Sequence, residues 1–306
     1  MEHGARGHRR GGAPFLRGPR RAERPRMNIT LAVTVYRSPS PVLAALLDSV
    51  TVAAMRLEAE RPGSRLMLVI VDNSDGGTDR TRLAALVAER PTLTARLISG
   101  QGNVGFGRAN NLALLPSDDD ILIVGNPDLV LAPDSLVRLL DVFEAEPTAG
   151  LVTPGFVEHG RLTHLCKRYP SFVVLFGRGF LPARLRRPLA ALIDRYTMAD
   201  RPADRPFWDP PIVTGAFMAF RGQVFRSIGG FDERFFLYFE DFDLSLRVAA
   251  VSRLYYAPSV RMEHAGGNTA RRGLKLIRFF AASAARFWGK HGFRLVAVRD
   301  RPPRAS

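Results

Sequence analysis

Glu240, Asp241 and Asp243 fall within four residues, directly after the aromatic run Phe235, Phe236, Tyr238 and Phe239. Three carboxylates this close beside apolar surface repel one another and lose hydration, so raised pKa values are expected for all three. A carboxylate raised in this way is basic enough to take a proton from a hydroxyl. The same acids also suit the first turn of a helix over 240–249, and residue types alone leave both readings open.

Other polar groups stand where short apolar runs end. Asp72 and Asn73 close LMLVIVDN, where a carboxylate or amide can hydrogen-bond a nucleotide base or ribose, or make an Asx turn. GNVGFGRANN (102–111) is a glycine-rich loop running into a helix, whose free N–H groups and dipole suit phosphate, with Arg108 adding a cation. It follows the third strand and lacks the spacing of a dinucleotide fingerprint. In Asn126-Pro127-Asp128, proline fixes the chain and Asp128 could hold Mg²⁺ or Mn²⁺ bridging a diphosphate, or simply complete a turn. His264, in MEHAGG after the last short strand, fits either a ligand or a structural role, and Asp118-Asp119-Asp120 reads as a solvated loop.

The elements that must position these groups alternate. Strands are predicted over 28–36, 66–73, 94–99, 120–126 and 150–155. Helices are predicted from Ser40 to about Glu60, over Thr78–Glu89, from near Val104 and over Asp134–Glu144. Near-continuous Val/Ile/Leu runs between helices imply an α/β fold with a mostly parallel sheet covered on both faces. Ligands bind such sheets at the carboxyl ends of the strands, where the polar groups gather. Residues 161–207 break the rhythm as an Arg-rich, apolar insert with one or two amphipathic helices over 171–199. Beyond the acidic helix come a short strand over 253–258, a turn over 262–268 and a last helix from about 270 to 290.

The chain has 306 residues, a formal charge of +15 and one cysteine, Cys166. A lone cysteine excludes an internal disulfide framework and fits a reducing, cytoplasmic compartment. Residues 1–26 hold eight Arg and two Glu, +6 of the total, and read as a disordered basic tail; Met27, just before the first strand, stands as an alternative start. No window of about 20 residues is apolar enough to span a bilayer, so a soluble or peripheral protein is expected.

With these motifs in place, the chain resembles the family 2 inverting glycosyltransferases of GT-A fold, and most closely their rhamnosyltransferase-like group in bacterial lipopolysaccharide and cell-wall glycan synthesis. The likeness covers about residues 28–268. It is carried by VTVYRSP (33–39), VDNSDGG (71–77), GNVGFGRANN (102–111), NPD (126–128), TGAFMAFR (214–221) and GGFDERFFLYFEDFDL (229–244). The resemblance implies a nucleotide-sugar donor, with Val35 and Asp72 at the base and ribose. Asn103, Gly105, Arg108 and Asn126 would lie along the diphosphate and donor. Asp128 would be the surviving carboxylate of a metal-binding Asp-x-Asp for Mg²⁺ or Mn²⁺, with His264 a further ligand. Asp241 would be the catalytic base with Glu240 beside it, and Trp208, Thr214 and Gly215 would line the sugar subsites. Asn126 stands where many relatives carry Asp, which weakens a hard-metal site.

The implied reaction moves L-rhamnose from dTDP-rhamnose, or alternatively a hexose from a UDP-hexose, to a polyprenyl-linked saccharide. The division expected is a basic tail over 1–26, a catalytic domain over 27–268 and a C-terminal amphipathic helix and tail over 269–306. In that helix Leu274, Ile277, Ala281, Ala284 and Trp288 share one face, with Arg271, Lys275, Arg278 and Arg286 opposite. Such a helix suits either packing on the catalytic domain or peripheral attachment to the inner leaflet of the cytoplasmic membrane. A processive synthase is disfavoured, because the chain lacks Gln-x-x-Arg-Trp, and a nucleotidyltransferase would need a glycine where VTVYRSPSP follows the first strand. A non-enzymatic basic nucleic-acid- or membrane-binding protein would not need the acidic cluster, and no nucleic-acid partner is expected.

Overall fold

The computed structural model of the protein describes residues 25–75, 79–264 and 274–296. The basic tail expected over 1–26 lies almost wholly outside the described residues, as does the segment 265–273. Buried aliphatic runs form the central strands β1 (Ile29–Val35), β2 (Leu66–Asp72), β3 (Ala95–Ile98) and β4 (Ile121–Gly125), which pair in parallel in the order β3-β2-β1-β4. Between them run α1 (Ser40–Glu60), α2 (Arg80–Ala88) and α3 (Phe106–Leu114). Pro41 at the start of α1 has no N–H to lose there.

The sheet continues through short β5 (Leu129–Leu131), then α4 (Ser135–Ala145), β6 (Ala149–Glu158) and β7 (Arg161–Thr163). The insert then folds as α5 (Phe172–Phe180), a 3-10 helix (Ala183–Leu189), α6 (Ala190–Tyr196) and a two-residue strand, β8 (Phe207–Trp208). Next come β9 (Phe217–Arg221), α7 (Gly222–Ser227), α8 (Glu240–Ala249), β10 (Arg253–His264) and α9 (Leu274–His291). Strands β3, β2, β1, β4, β6 and β10 share one direction, so six of the ten are parallel in sense, and β9 inserts antiparallel between β4 and β6.

Two cores cover the two faces. On one, Leu31, Val33 and Val35 pack with Ile123, Phe217 and Val152 against α1 and α4. On the other, Ala32, Val71, Val124, Met218 and Leu151 pack against α3, α7 and α8. Alternate residues of each strand feed opposite cores, as the pleat requires. Arg61, buried just past the end of α1, pairs with Asp141 and Glu144 of α4 and locks the first layer.

Three elements differ from the sequence expectation. The strand expected over 253–258 runs on to His264, because a bulge between Ala257 and Arg261 carries Pro258 past the ladder, so 262–264 is strand rather than turn. TGAFMAFR contains a strand, β9, which sequence reading took only as a motif. Asp119 and Asp120 are not merely solvated: Asp119 accepts from the Thr30 hydroxyl at 2.5 Å and Asp120 from the Asn28 amide at 2.9 Å, fastening the start of β1.

Candidate active site

Parallel register sets the first half of the site. Val35 sits opposite Asp72 at the ends of β1 and β2, and Gly125 of β4 is level with Val33. Val35 is wholly buried, and its carbonyl accepts from the Asn73 amide at 2.8 Å, so it offers main chain rather than side chain. Asp72 is also buried; its Oδ1 accepts from the Ser74 amide at 3.0 Å and from the Ser74 hydroxyl, leaving Oδ2 without a hydrogen-bond partner among the described residues. A buried carboxylate oxygen left open at a strand end is costly without a ligand to bond it.

Asn73 pins the glycine-rich loop. Its Nδ2 donates to Asn103 Oδ1 at 3.1 Å and to the Gly105 carbonyl at 3.3 Å, while its Oδ1 accepts from the Val104 amide at 3.0 Å. Gly105 is at φ 88°, and a Cβ there would stand 2.5 Å from the Phe236 carbonyl, so glycine alone fits. That carbonyl accepts from the Phe106 amide at 3.0 Å, which joins the loop before α3 to the aromatic loop before α8. Arg108 points to that same loop, pairing with Glu233 at 3.4 Å on a half-exposed surface.

The acidic cluster arrives on an unusual turn. Tyr238 and Phe239, at φ 70° and 66°, are both left-handed, a conformation costing non-glycine residues about 1–3 kcal/mol each. Phe235 and Phe239 are buried and hold it. The turn delivers Glu240 and Asp241 to the first turn of α8. Asp241 Oδ2 accepts from the Gly215 amide at 2.9 Å and Oδ1 from the Phe242 amide at 2.9 Å. A Cβ on Gly215 would stand 3.3 Å from that of Asp241 and 3.5 Å from the Phe106 ring, so Gly215 is where the glycine-rich loop and the carboxylates meet. The Asn126 amide donates to the Ala216 carbonyl at 2.9 Å, which brings the end of β4 to the same point, with half-buried Asp128 two residues on. Thr214 is half-buried beside it, its Oγ1 accepting from the Ala216 amide at 3.5 Å.

Burial pushes the Asp241 carboxyl up, against the opposing pull of the Lys167 ammonium and the Gly215 and Phe242 amides. Glu240, 6% exposed, is pushed well up by burial and then by the Asp241 charge, and its Oε2 has no hydrogen-bond partner among the described residues. Asp243 departs from expectation. Burial would raise it, but hydrogen bonds from Lys290, His291 and Arg247 outweigh that and hold it below the usual carboxylate range.

Sequence reading missed Lys167. Its main chain bridges to Ile212, its ammonium lies 5.4 Å from the Phe242 ring centre, and burial lowers its pKa while the Asp241 charge raises it. Its only sequence signal was being one of three lysines in an arginine-rich chain.

Trp208 is not brought to the carboxylates. It packs on Tyr255 at 4.6 Å and under the Arg253 guanidinium at 4.1 Å, on the α1/α4 face of the sheet, whereas Glu240 and Asp241 sit on α8 at the other face. His264 pairs by main chain with Leu129, next to Asp128; its side chain lies outside the described residues. Among the described residues no three His, Cys, Asp or Glu side chains cluster as a metal site. A hollow of about 860 Å³ opens elsewhere, at the amino ends of β1–β3, lined by Thr30, Ser64, Thr94 and Asp119; it shares no residue with this site.

A family model described as Glycosyl transferase family 2 matches residues 30–229, the span that holds the sheet up to β9, the glycine-rich loop and Gly215. The chain belongs to that family. It is a glycosyltransferase, as its motifs implied. It is 32% identical over 251 residues to an N-acetylglucosaminyl-diphospho-decaprenol L-rhamnosyltransferase of Mycobacterium tuberculosis, covering 76% of this chain and 74% of that one. It is 29% identical over 213 residues to rhamnosyltransferase WbbL of Escherichia coli K12, covering 65% and 72%. Among solved structures it is similar to a mannosyltransferase of Pyrobaculum calidifontis in complex with GDP-Man and Mn²⁺. There the TM-score is 0.57 at 20% identity, over 87% of this chain and 64% of that one, a likeness of fold. The expected GT-A fold, with its mostly parallel sheet, is borne out.

Proposed function

We propose that this glycosyltransferase moves L-rhamnose, with inversion, from dTDP-rhamnose to a hydroxyl of a polyprenyl-diphosphate-linked saccharide. The observation that carries the reading is the meeting at Gly215 of a raised, main-chain-held carboxylate, Asp241, with the loop pinned by Asn73. The named activities of the 32% and 29% identical relatives support the choice of sugar, and that of the first supports a lipid-linked acceptor.

In this reading Val35 and Asp72 take the base and ribose, the open Asp72 Oδ2 accepting from a donor hydroxyl. The diphosphate lies along Asn103, Gly105 and Asn126. Arg108 reaches it by exchanging its bond to Glu233, and Thr214 and Gly215 flank the sugar. Asp241 takes the acceptor proton as the acceptor oxygen bonds to the anomeric carbon from the face opposite the diphosphate. The bond from that carbon to the diphosphate oxygen breaks, and the nucleoside diphosphate leaves with both electrons. Asp241 is half-buried whereas Glu240 is almost enclosed, which supports Asp241 as the base and Glu240 as the carboxyl that keeps its proton.

The residues present fit a divalent cation in part. The hard oxygen of Asp128 suits Mg²⁺ or Mn²⁺, and the β10–β5 register sets His264 opposite the residue that follows Asp128. A cation held by Asp128 and His264 would neutralise charge developing on the diphosphate. The acceptor implies work at the inner leaflet of the cytoplasmic membrane; no helix among the described residues is long and apolar enough to cross one.

The test is acceptor-dependent release of nucleoside diphosphate across a panel of dTDP-, UDP- and GDP-sugars, with Mn²⁺ or a chelator. Release from dTDP-rhamnose alone, lost with chelator, is expected. Release from a UDP-hexose instead would replace the sugar assignment, and retention with chelator would remove the metal.

A further inference from the structure

The apolar stripe of α9 is not free for a membrane. Phe280, Ala284 and Phe287 pack against Phe235, Phe239 and Phe242, the Ser283 hydroxyl donates to the Leu237 carbonyl at 2.8 Å, and Ala281 faces solvent. Among the described residues an exposed aromatic surface lies next to it. Phe172 and Phe176 of α5 are 43% and 44% exposed, and Phe293 and Leu295, just past α9, are 59% and 58% exposed. These belong to one surface. The Phe172 and Val173 amides, at the start of α5 where Ser171 caps only the Val174 amide, donate to the Arg294 and Leu295 carbonyls at 2.8 and 3.1 Å. The Phe172 ring stacks on Phe176 at 5.8 Å and stands 6.4 Å from Phe293, which meets Trp288 edge-on at 5.2 Å.

Main-chain bonds thus hold large apolar side chains at the surface, where a contiguous patch marks an interaction site. The surrounding charge identifies the partner. Segments 171–199 and 274–296 together carry ten Lys and Arg against one acid, Asp194. Arg178, Arg184 and Arg187 are exposed, as is Leu185 on the 3-10 helix that packs against α5. Aromatic side chains that enter the headgroup boundary, ringed by arginine, have the chemistry of an interfacial anchor for anionic lipid. The surface is also close to the reaction. Phe172 is five positions along the chain from Lys167, a span of at most about 17 Å, and Lys167 lies against Phe242 beside Asp241.

We propose that the face formed by Phe172, Phe176, Phe293 and Leu295 docks on an anionic bilayer surface and presents the lipid-linked acceptor to Asp241. The acceptor half rests on the proposed function; the docking half does not. A membrane lying on this face would touch the insert and the end of α9.

The test is co-sedimentation of the full chain with vesicles of phosphatidylglycerol and phosphatidylcholine, or of phosphatidylcholine alone. The wild type is expected to bind the anionic vesicles and to bind the neutral ones weakly. Joint substitution of Phe172→Ser, Phe176→Ser and Phe293→Ser should lower partition by roughly tenfold or more. The pair Arg184→Glu and Arg187→Glu should weaken it in proportion to ionic strength effects, and provides a second reading if the aromatic variant folds poorly. Nucleotide-sugar binding should be unchanged in both, which reports the fold. Wild-type affinity in both variants would place the lipid contact elsewhere, such as the basic tail, and overturn the proposal. So would failure of the wild type to bind, or a dimer that the aromatic substitutions turn into monomers without change at vesicles. Loss of vesicle binding in the variants, with no transfer from any sugar nucleotide by the wild type, would sink the rhamnosyltransferase reading and leave the docking face standing.

Discussion

The first turn of α8 holds two carboxylate environments a helical step apart, and they have opposite fates. Glu240 and Asp241 face the strand ends, where burial raises both and amides and one lysine only partly answer Asp241. Asp243, 0% exposed, faces α9 and is saturated: Arg247 Nε at 2.7 Å, Lys290 Nζ at 2.6 Å and His291 Nε2 at 2.7 Å. Its pKa is lowered. Crowding of like charges alone therefore did not set these values: burial raised two of them, the Asp241 charge adding to Glu240, and partners supplied by the fold lowered the third. One side of the helix keeps a carboxylate under-bonded and ready to accept a proton, while the other uses a carboxylate to fasten the last helix.

The largest expected consequence of this division is at Asp241. Asp241→Asn keeps the size and the Gly215 bond but removes the base, and should lower kcat by about 10²–10⁴-fold with donor affinity nearly unchanged. Equal loss of donor binding, by calorimetry, would make the residue structural. Asp243→Ala should instead act on the fold. It strands the buried-side ends of Lys290 and Arg247, and loss of one partner of such a network costs about 3–5 kcal/mol; chemical denaturation would show it. Because the folded-state pKa of Asp243 is depressed, its contribution is present above the ordinary carboxyl pKa. It is lost as pH falls through the folded value, so wild type and variant should converge in stability in acid.

Lys167→Met is the smaller test of the Asp241 side. Removing the cation that lowers the Asp241 pKa should move the acid limb of the kcat profile to higher pH, with about tenfold loss at the acid edge and little at its plateau. An unmoved limb would separate Lys167 from the base. Smallest of all, Glu240→Gln should change turnover by no more than about threefold, the neutral amide standing in for a carboxyl that keeps its proton. The raised Glu240 pKa means that wild-type stability is lost as pH rises through it. The variant should therefore show a flatter stability profile on the alkaline side.

Much of the fold was legible because β1 to β4 are unbroken apolar runs whose neighbours have helical period and caps. Ser40-Pro41 marked the start of α1 to within one residue, the cap being Pro39 rather than Ser40, and the carboxyl-end placement of Asp72, Asn103 and Asn126 followed from strand order. What sequence hid was long-range. β9 is five residues with no alternation, buried on both faces, and its antiparallel sense depends on where the insert returns the chain. Pro258 reads as a strand end, but a bulge absorbs it. The amphipathic period of α9 was visible, but its buried stripe runs through Phe280, Ser283, Ala284 and Phe287 rather than Ala281, because the partner face comes from Phe235 to Phe242. Lys290 and His291 are almost fifty residues from Asp243, and nothing local announces that they neutralise it. Trp208 was placed at the site by resemblance, and the sheet puts it on the opposite face.

The division within α8 can be measured directly by following the side-chain carboxyl ¹³C resonances of labelled protein through a pH titration, with Glu240→Gln, Asp241→Asn and Asp243→Asn used for assignment. Glu240 and Asp241 are expected to titrate above ordinary glutamate and aspartate, and Asp243 below. Titration of Asp243 at or above Asp241, or of all three at ordinary values, would contradict the separation of a reactive from a fastening carboxylate.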